Sequence, residues 1–202
     1  MVKPSARHVQ GRIRIIAGDW RGRRIDVPEG TAVRPTPDRV RETLFNWLQG
    51  SIAGARCLDL YAGTGVLGFE ALSRGAEKVW FVEQDATLAA ALHTTASVLG
   101  AQPQIVRRDA LAFLREPPVA QFDVVFLDPP YAAPLDPLLE LLPAWLRPRA
   151  LVYVERPRSE GLPAVAGAQW RKRSFAGAVE YGLLLFEEAT MKKTPTSEAL
   201  SP

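Results

Sequence analysis

Only one of the 202 residues is cysteine and only two are histidine. A lone Cys57 can form neither an internal disulfide nor a cysteine-based metal cluster, so a disulfide-stapled or zinc-finger fold is excluded and a reducing compartment is expected. His8 and His93 stand far apart, without carboxylate or cysteine companions at ligand spacing, and are read as non-catalytic. No stretch approaches the roughly 18 apolar residues of a membrane span. The first ten residues are polar and basic with no apolar centre, so neither insertion nor export is expected and the cytoplasm is the predicted location.

What is present is an uneven distribution of charge. Residues 1–50 carry ten Lys and Arg against five Asp and Glu, whereas the rest carry fifteen against seventeen, so the net +3 comes from the first quarter of the chain. The asymmetry points to a polyanionic partner for that segment; the plain alternative is a solvated basic face. The length allows one α/β domain and a modest extension. The expected division is a basic hairpin and helix over 1–50, a catalytic domain over 51–189 and a disordered polar tail over 190–202.

Residues 14–18 and 24–28 read as two strands of a hairpin with Trp20, Arg21 and Arg23 near its tip. Thr36-Pro37-Asp38 has the form of a helix start, a hydroxyl cap followed by proline, and Val40, Leu44, Trp47 and Leu48 share one helical face. From residue 56 onward apolar strands alternate with helical patterns. Strands are expected at 57–61, 79–82, 104–107, 122–127 and 151–155, and helices at 66–73, 86–99, 110–115 and 135–146. This rhythm specifies a mostly parallel sheet covered on both faces. Residues 170–175 and 181–187 look like a closing antiparallel hairpin.

Leu58-Asp59-Leu60-Tyr61-Ala62-Gly63-Thr64-Gly65 runs from a strand into a glycine turn and a helix. Such turns let backbone approach a ligand, and with Gly68 they also fit a dinucleotide fingerprint. Asp59 favours the cationic, amine-bearing end of S-adenosylmethionine over a pyrophosphate. Glu83 is placed to accept from both ribose hydroxyls, and Asp109 from an adenine amino group. Each acid alone could be a helix cap; three at successive strand ends match where ligands bind in open α/β sheets.

The sharper signal is Phe122-Asp123-Val124-Val125-Phe126-Leu127-Asp128-Pro129-Pro130-Tyr131. An exocyclic amine on a purine is a poor nucleophile because its lone pair is delocalised into the ring. Asp128 and a carbonyl of the rigid Pro129-Pro130 segment can accept from that amine, drawing its nitrogen toward tetrahedral geometry. Tyr131 offers a flat face for a base pulled from its stack, and Asp128 a place for the released proton. A bare Asp-Pro-Pro turn with a buried tyrosine is the structural alternative.

The tetrad and Gly63-Thr64-Gly65 together resemble the amino-methyltransferases acting on adenine or guanine. Arg14-Ile15-Ile16-Ala17-Gly18-Asp19-Trp20-Arg21-Gly22 and Arg34-Pro35-Thr36-Pro37-Asp38-Arg39-Val40-Arg41-Glu42-Thr43-Leu44-Phe45-Asn46 narrow the resemblance to the bacterial 16S rRNA guanine-N2 methyltransferase family known as RsmD, over about 13–186. It implies a Rossmann-like, seven-stranded class I methyltransferase fold. It also implies methylation of a guanine in small-subunit rRNA, G966 in the family, within a subunit or assembly intermediate and by a monomer. Asp59, Gly63, Thr64, Gly65, Glu83, Asp109 and Ala110 would hold S-adenosylmethionine, with S-adenosylhomocysteine as product. Asp128, Pro129, Pro130 and Tyr131 would hold the guanine, and the segment around Arg34 would wall the site. A sulfonium methyl already has a good leaving group, so no metal is expected.

Residues 175–182 depart from the closing Tyr-Gly pattern of the family and leave the register of the last hairpin open. Arg12, Arg14, Arg21, Arg23, Arg24, Arg34, Arg39 and Arg41 are expected to meet RNA phosphates, for which a planar guanidinium is well suited; some could instead pair with Asp19, Asp26, Asp38 or Glu42. Arg156 and Arg158 fit either an RNA contact or a solvated edge. Three rivals predict different behaviour. A DNA adenine-N6 methyltransferase needs a recognition insert for which there is no room, a non-catalytic rRNA-binding factor has no use for Asp128 with Tyr131, and a dehydrogenase gives the tetrad no work.

Overall fold

The computed structural model describes residues 9–31, 36–130 and 133–187. An antiparallel ribbon of β1 (Val9–Arg14) and β2 (Arg24–Pro28) precedes α1 (Asp38–Trp47). There follow β3 (Arg56–Asp59), α2 (Val66–Ser73), β4 (Lys78–Glu83), α3 (Ala86–Leu99), β5 (Gln104–Arg107), α4 (Ala110–Leu114), β6 (Phe122–Leu127) and α5 (Asp136–Leu141), then a 3-10 turn over Leu142–Trp145. β7 (Leu146–Pro157), β8 (Ala168–Ala176) and β9 (Val179–Phe186) close the fold. The main sheet has seven strands in the order β5-β4-β3-β6-β7-β9-β8, parallel from β5 to β7, with β9 antiparallel to β7 and β8 antiparallel to β9. This is the mostly parallel, doubly covered sheet that the alternating pattern predicts.

Alternation along the strands sorts their side chains onto two faces. Cys57, Val79, Phe81, Val124, Phe126 and Tyr153 face a core built with α1, α2 and α3, which also takes in Ile13, Ile15, Ile25 and Val27 of the N-terminal ribbon and its connection. Leu58, Val82, Val125, Leu127, Val152 and Val154 face the opposite core with α4, α5 and the 3-10 turn. The ribbon is therefore packed into the same core as the main sheet. Removing a fully buried ring such as Phe126 from such a core costs about 3–5 kcal/mol.

Three expectations change. The first strand of the ribbon ends at Arg14 instead of covering 14–18, because the next backbone groups find partners on α2. Ile16 and Ala17 donate to the Glu70 carboxylate at 2.8 and 3.0 Å, and Asp19 donates to the Ser73 carbonyl at 2.8 Å. Gly18 makes this approach feasible: its φ is +82°, and a Cβ there would lie 1.8 Å from the Ser73 carbonyl oxygen. The helix expected over 135–146 is shorter, since Pro143 lacks an N–H and the chain tightens into the 3-10 turn before entering β7. Thr36 does not cap α1, which begins after Pro37 without a side-chain cap. The open register of the last hairpin is fixed by pairing of Ala176 with Val179 across Gly177-Ala178, with Gly177 at φ +59°. The expected tail over 190–202 lies outside the described residues.

Candidate active site

β3 and β4 deliver their carboxylates to one edge of the sheet because the two strands are parallel; Asp59 pairs with Phe81, two residues before Glu83 on the same face. The chain then turns through Gly63 and Gly65, the latter at φ +76° at the start of α2. Glu83 is buried and locked by two backbone donors, Gly63 N–H to Oε2 and Asp85 N–H to Oε1, both at 2.8 Å. Asp59 is buried and accepts from Gly68 N–H at 3.1 Å. Burial pushes its carboxyl up to about 7, and the Glu83 charge adds to this against the opposing Gly68 hydrogen bond.

This arrangement has chemical consequences. A pyrophosphate in a dinucleotide fold sits on free N–H groups at the helix start, but here a carboxylate already occupies one of them. The acids instead suit a ligand bearing hydroxyls and positive charge. Asp109 ends the row beyond β5, capping α4 through Oδ1 to Ala112 N–H at 2.8 Å, with Ala110 buried behind it. It is therefore a helix cap whose second oxygen remains at the sheet edge. Thr64 is buried within the glycine turn.

Asp128 leaves β6 on the face that α1 covers. Thr36, just before α1, donates from Oγ1 to Asp128 Oδ2 at 3.5 Å. Burial raises the Asp128 carboxyl well above the usual range; Glu155 and Asp59 raise it further, and the Thr36 hydroxyl opposes them. Pro129 is buried and Pro130 exposed. Tyr131 and Arg34 lie outside the described residues.

Glu155 and Tyr153 were not singled out by the sequence. Phe126 pairs with Tyr153 in the parallel β6–β7 register, so Asp128 and Glu155 stand two residues beyond the same rung. The Tyr153 hydroxyl donates to Glu155 Oε2 at 2.7 Å. The available signal was an acid closing a strand, the feature that marked Glu83, but only the strand order places it beside Asp128.

The basic residues divide. Arg12, Arg14 and Arg24 line a cleft of about 540 Å³ that includes Thr36, whose hydroxyl meets Asp128. Arg12 pairs with Asp26 at 3.0 Å and Arg14 with Asp38 at 3.5 Å, while Arg21 and Arg39 are exposed. Arg23 donates to the Val98 carbonyl at 2.7 Å. Arg41 is a correction: it is fully buried and unavailable to phosphate. Its guanidinium is consumed by the Thr36 and Arg14 carbonyls, by Asp38 at 2.5 Å and by Glu70 at 3.6 Å. The apolar stripe of Val40, Leu44 and Phe45 on α1 carried the warning, since Arg41 falls inside it. Trp20 is partly buried against the core and anchors the connection, its backbone N–H donating to Ser73 Oγ at 2.9 Å. Arg156 pairs with Glu160, and the Arg158 guanidinium lies 4.6 Å from the Phe175 ring centre.

A parallel sheet with an antiparallel end, a glycine turn after its central strand and acids along its carboxyl edge define a class I S-adenosylmethionine-dependent methyltransferase fold. The solved structure of yhhF from Escherichia coli superposes with a TM-score of 0.82 at 41% identity, covering 89% of this chain and 99% of that one. The Thermus thermophilus 16S rRNA N2 G1207 methyltransferase, solved with AdoMet and guanosine, shares the fold at a TM-score of 0.63 and 22% identity, over 92% of this chain and 51% of that one. The chain belongs to the family described as Conserved hypothetical protein 95, which matches residues 13–184. The relative from Haemophilus influenzae named ribosomal RNA small subunit methyltransferase D is 43% identical over 91% of this chain and 98% of its own. The Escherichia coli K12 protein of that name is 43% identical over 86% and 89%.

Proposed function

We propose that the protein methylates the exocyclic N2 amine of a guanine in 16S rRNA, the base equivalent to G966, within a small subunit or assembly intermediate. The observation that carries this reading is the half-buried Asp128 at the end of β6, one strand from the glycine turn and followed by two prolines. The relatives' names support rRNA as the substrate.

Asp59, Gly63, Thr64, Gly65, Glu83, Asp109 and Ala110 would hold S-adenosylmethionine, which supplies an electrophilic methyl on sulfur. Glu83, fixed by two backbone donors, presents its remaining lone pairs to ribose hydroxyls. Asp59 supplies negative charge near the amine. Asp128 and a proline carbonyl take the two N2 hydrogens of a guanine turned out of its stack. Transfer would break the S–C bond as the N–C bond forms, leaving neutral S-adenosylhomocysteine, and the surplus proton on N2 would pass to Asp128, whose proton affinity burial and neighbouring carboxylates have raised. The exposed arginines would receive the RNA backbone.

Incubation with radiolabelled S-adenosylmethionine and, separately, undermethylated small subunits, naked rRNA and unmethylated DNA, followed by mapping of the base, tests this. Label on guanine N2 of 16S rRNA is expected; label on DNA adenine, or none on any rRNA substrate, would overturn it. Asp128→Ala should still bind the methyl donor while losing transfer, and equal activity would remove the role given to Asp128.

A further inference from the structure

Adenine and guanine both offer an exocyclic amine, so one carboxylate beside a proline carbonyl does not distinguish them. Their ring edges differ. Guanine carries an N1–H donor next to its N2 amine, whereas adenine carries a bare N1 acceptor next to its N6 amine. A second carboxylate placed beside the first therefore matches guanine and repels adenine.

We infer that Glu155, tethered by Tyr153, is that second carboxylate and accepts the N1–H of the target guanine while Asp128 accepts from N2. The inference rests on the guanine-N2 reading above. Its first support is placement: β6 and β7 are adjacent parallel strands, roughly 4.8 Å apart in such sheets. Asp128 and Glu155 lie two residues past the paired Phe126 and Tyr153, on the face that α1 covers. Its second support is the tether. Tyr153 is fully buried and its hydroxyl holds Glu155 Oε2 at 2.7 Å; among the described residues Oε1 accepts no hydrogen bond. The Tyr153 ring packs against Tyr181 at 6.2 Å, and Trp47 of α1 stacks on Tyr181 at 5.4 Å, which fixes the tyrosine from behind.

The third support is electrostatic. Among the described residues the groups that shift the Asp128 carboxyl are Glu155 and Asp59, which raise it, and the Thr36 hydroxyl, which opposes them. Two carboxylates facing one space repel each other until adjacent N–H donors lie between them, and guanine brings such donors in one plane. A purely structural partner for Tyr153 would not need a charge, since a glutamine oxygen accepts the same hydrogen bond.

That difference gives the test. Small subunits are reconstituted with guanine or 2-aminopurine at the mapped position; 2-aminopurine keeps the 2-amino group but presents a bare N1 acceptor. Wild type should prefer guanine in kcat/KM by roughly 10- to 100-fold, the scale of one well-formed paired contact to a base edge. Glu155→Gln, whose amide can donate to a bare N1, should lose most of that preference while keeping its methyl-donor affinity and melting temperature. Tyr153→Phe keeps the carboxylate without its tether and should lower the preference partway, which covers the case of a poorly folded Glu155→Gln protein. An unchanged guanine preference in a folded Glu155→Gln protein would overturn the inference. Failure of wild type to label guanine N2 in any rRNA substrate would instead overturn the underlying function.

Discussion

The Thr36 hydroxyl donates to Asp128 Oδ2 at 3.5 Å across 92 positions of sequence, tying the approach to α1 to the end of β6. The hydroxyl stabilises the ionised carboxylate and works against the burial and neighbouring charges that favour its neutral form. Thr36→Val should therefore move the acid limb of the kcat/KM profile to higher pH. A hydrogen bond this long is weak, so the loss near pH 7 should be about three- to tenfold. Thr36→Ser should restore the wild-type limb; an identical limb in Thr36→Val would show that the contact does not act on Asp128.

Asp59 makes the ligand-free protein pH-sensitive. Its folded carboxyl is raised from 3.8 to about 7, so between those values the folded state holds a proton that the unfolded state has released. This group's contribution to stability therefore falls as pH rises from about 4 to about 7. Asp59→Asn keeps an acceptor for Gly68 N–H and should melt at least about 4 °C higher than wild type at pH 8, the equivalent of one to two kcal/mol in a chain of this size. The same substitution should weaken methyl-donor binding and flatten its pH dependence, because wild-type affinity should decline as Asp59 takes up its proton below about pH 7. Calorimetric titration at pH 6 and 8 checks both signs.

Arg41 is a stability residue. Replacing it with leucine leaves the fully buried Glu70 without one of its two cationic partners and strips the Thr36 and Arg14 carbonyls of donors. Loss of one member of a buried charge network costs about 3–5 kcal/mol, so a melting temperature lower by at least about 6 °C is expected. Arg39→Ala, on the exposed side of the same helix, should melt as wild type does.

Arg14 and Arg24 are paired across the ribbon, and Asp38, 3.5 Å from Arg14, offsets only part of their like charge, which a phosphate would complete. Arg14→Ala and Arg24→Ala should each raise KM for small subunits. Each should also lower the magnitude of the slope of log binding constant against log salt by about 0.7 to 0.9, the signature of one lost phosphate contact. Unchanged slopes in both variants would take this face out of RNA binding.

How much of this was legible in the chain depends on what each residue answers to. Asp59, Glu83, Asp109 and Asp128 stood out because a βα rhythm sends every strand end to one edge, and that rhythm is local. Glu155 obeys the same rule but matters only through the neighbouring of β6 and β7, which the linear order does not state. Thr36 reads as a helix cap because Ser and Thr before proline usually are; here the hydroxyl is drawn to a half-buried carboxyl instead. Arg41 reads as one basic residue among eight until the apolar face of α1 is counted around it. The ribbon's first strand stops short of its apolar run because the backbone donors that follow end on Glu70 and Ser73, partners more than fifty positions away.

The N-terminal ribbon shares its interior with the methyltransferase sheet, and Gly18, Ser73, Glu70 and Arg41 rivet the two together. The arginine-lined cleft and the Asp128 edge are thus held on one continuous core. On the proposed function the molecule would work as a gauge: RNA lying on the ribbon would have to present its base at one set reach, and an otherwise suitable guanine at another distance from its own backbone would be passed over without being read.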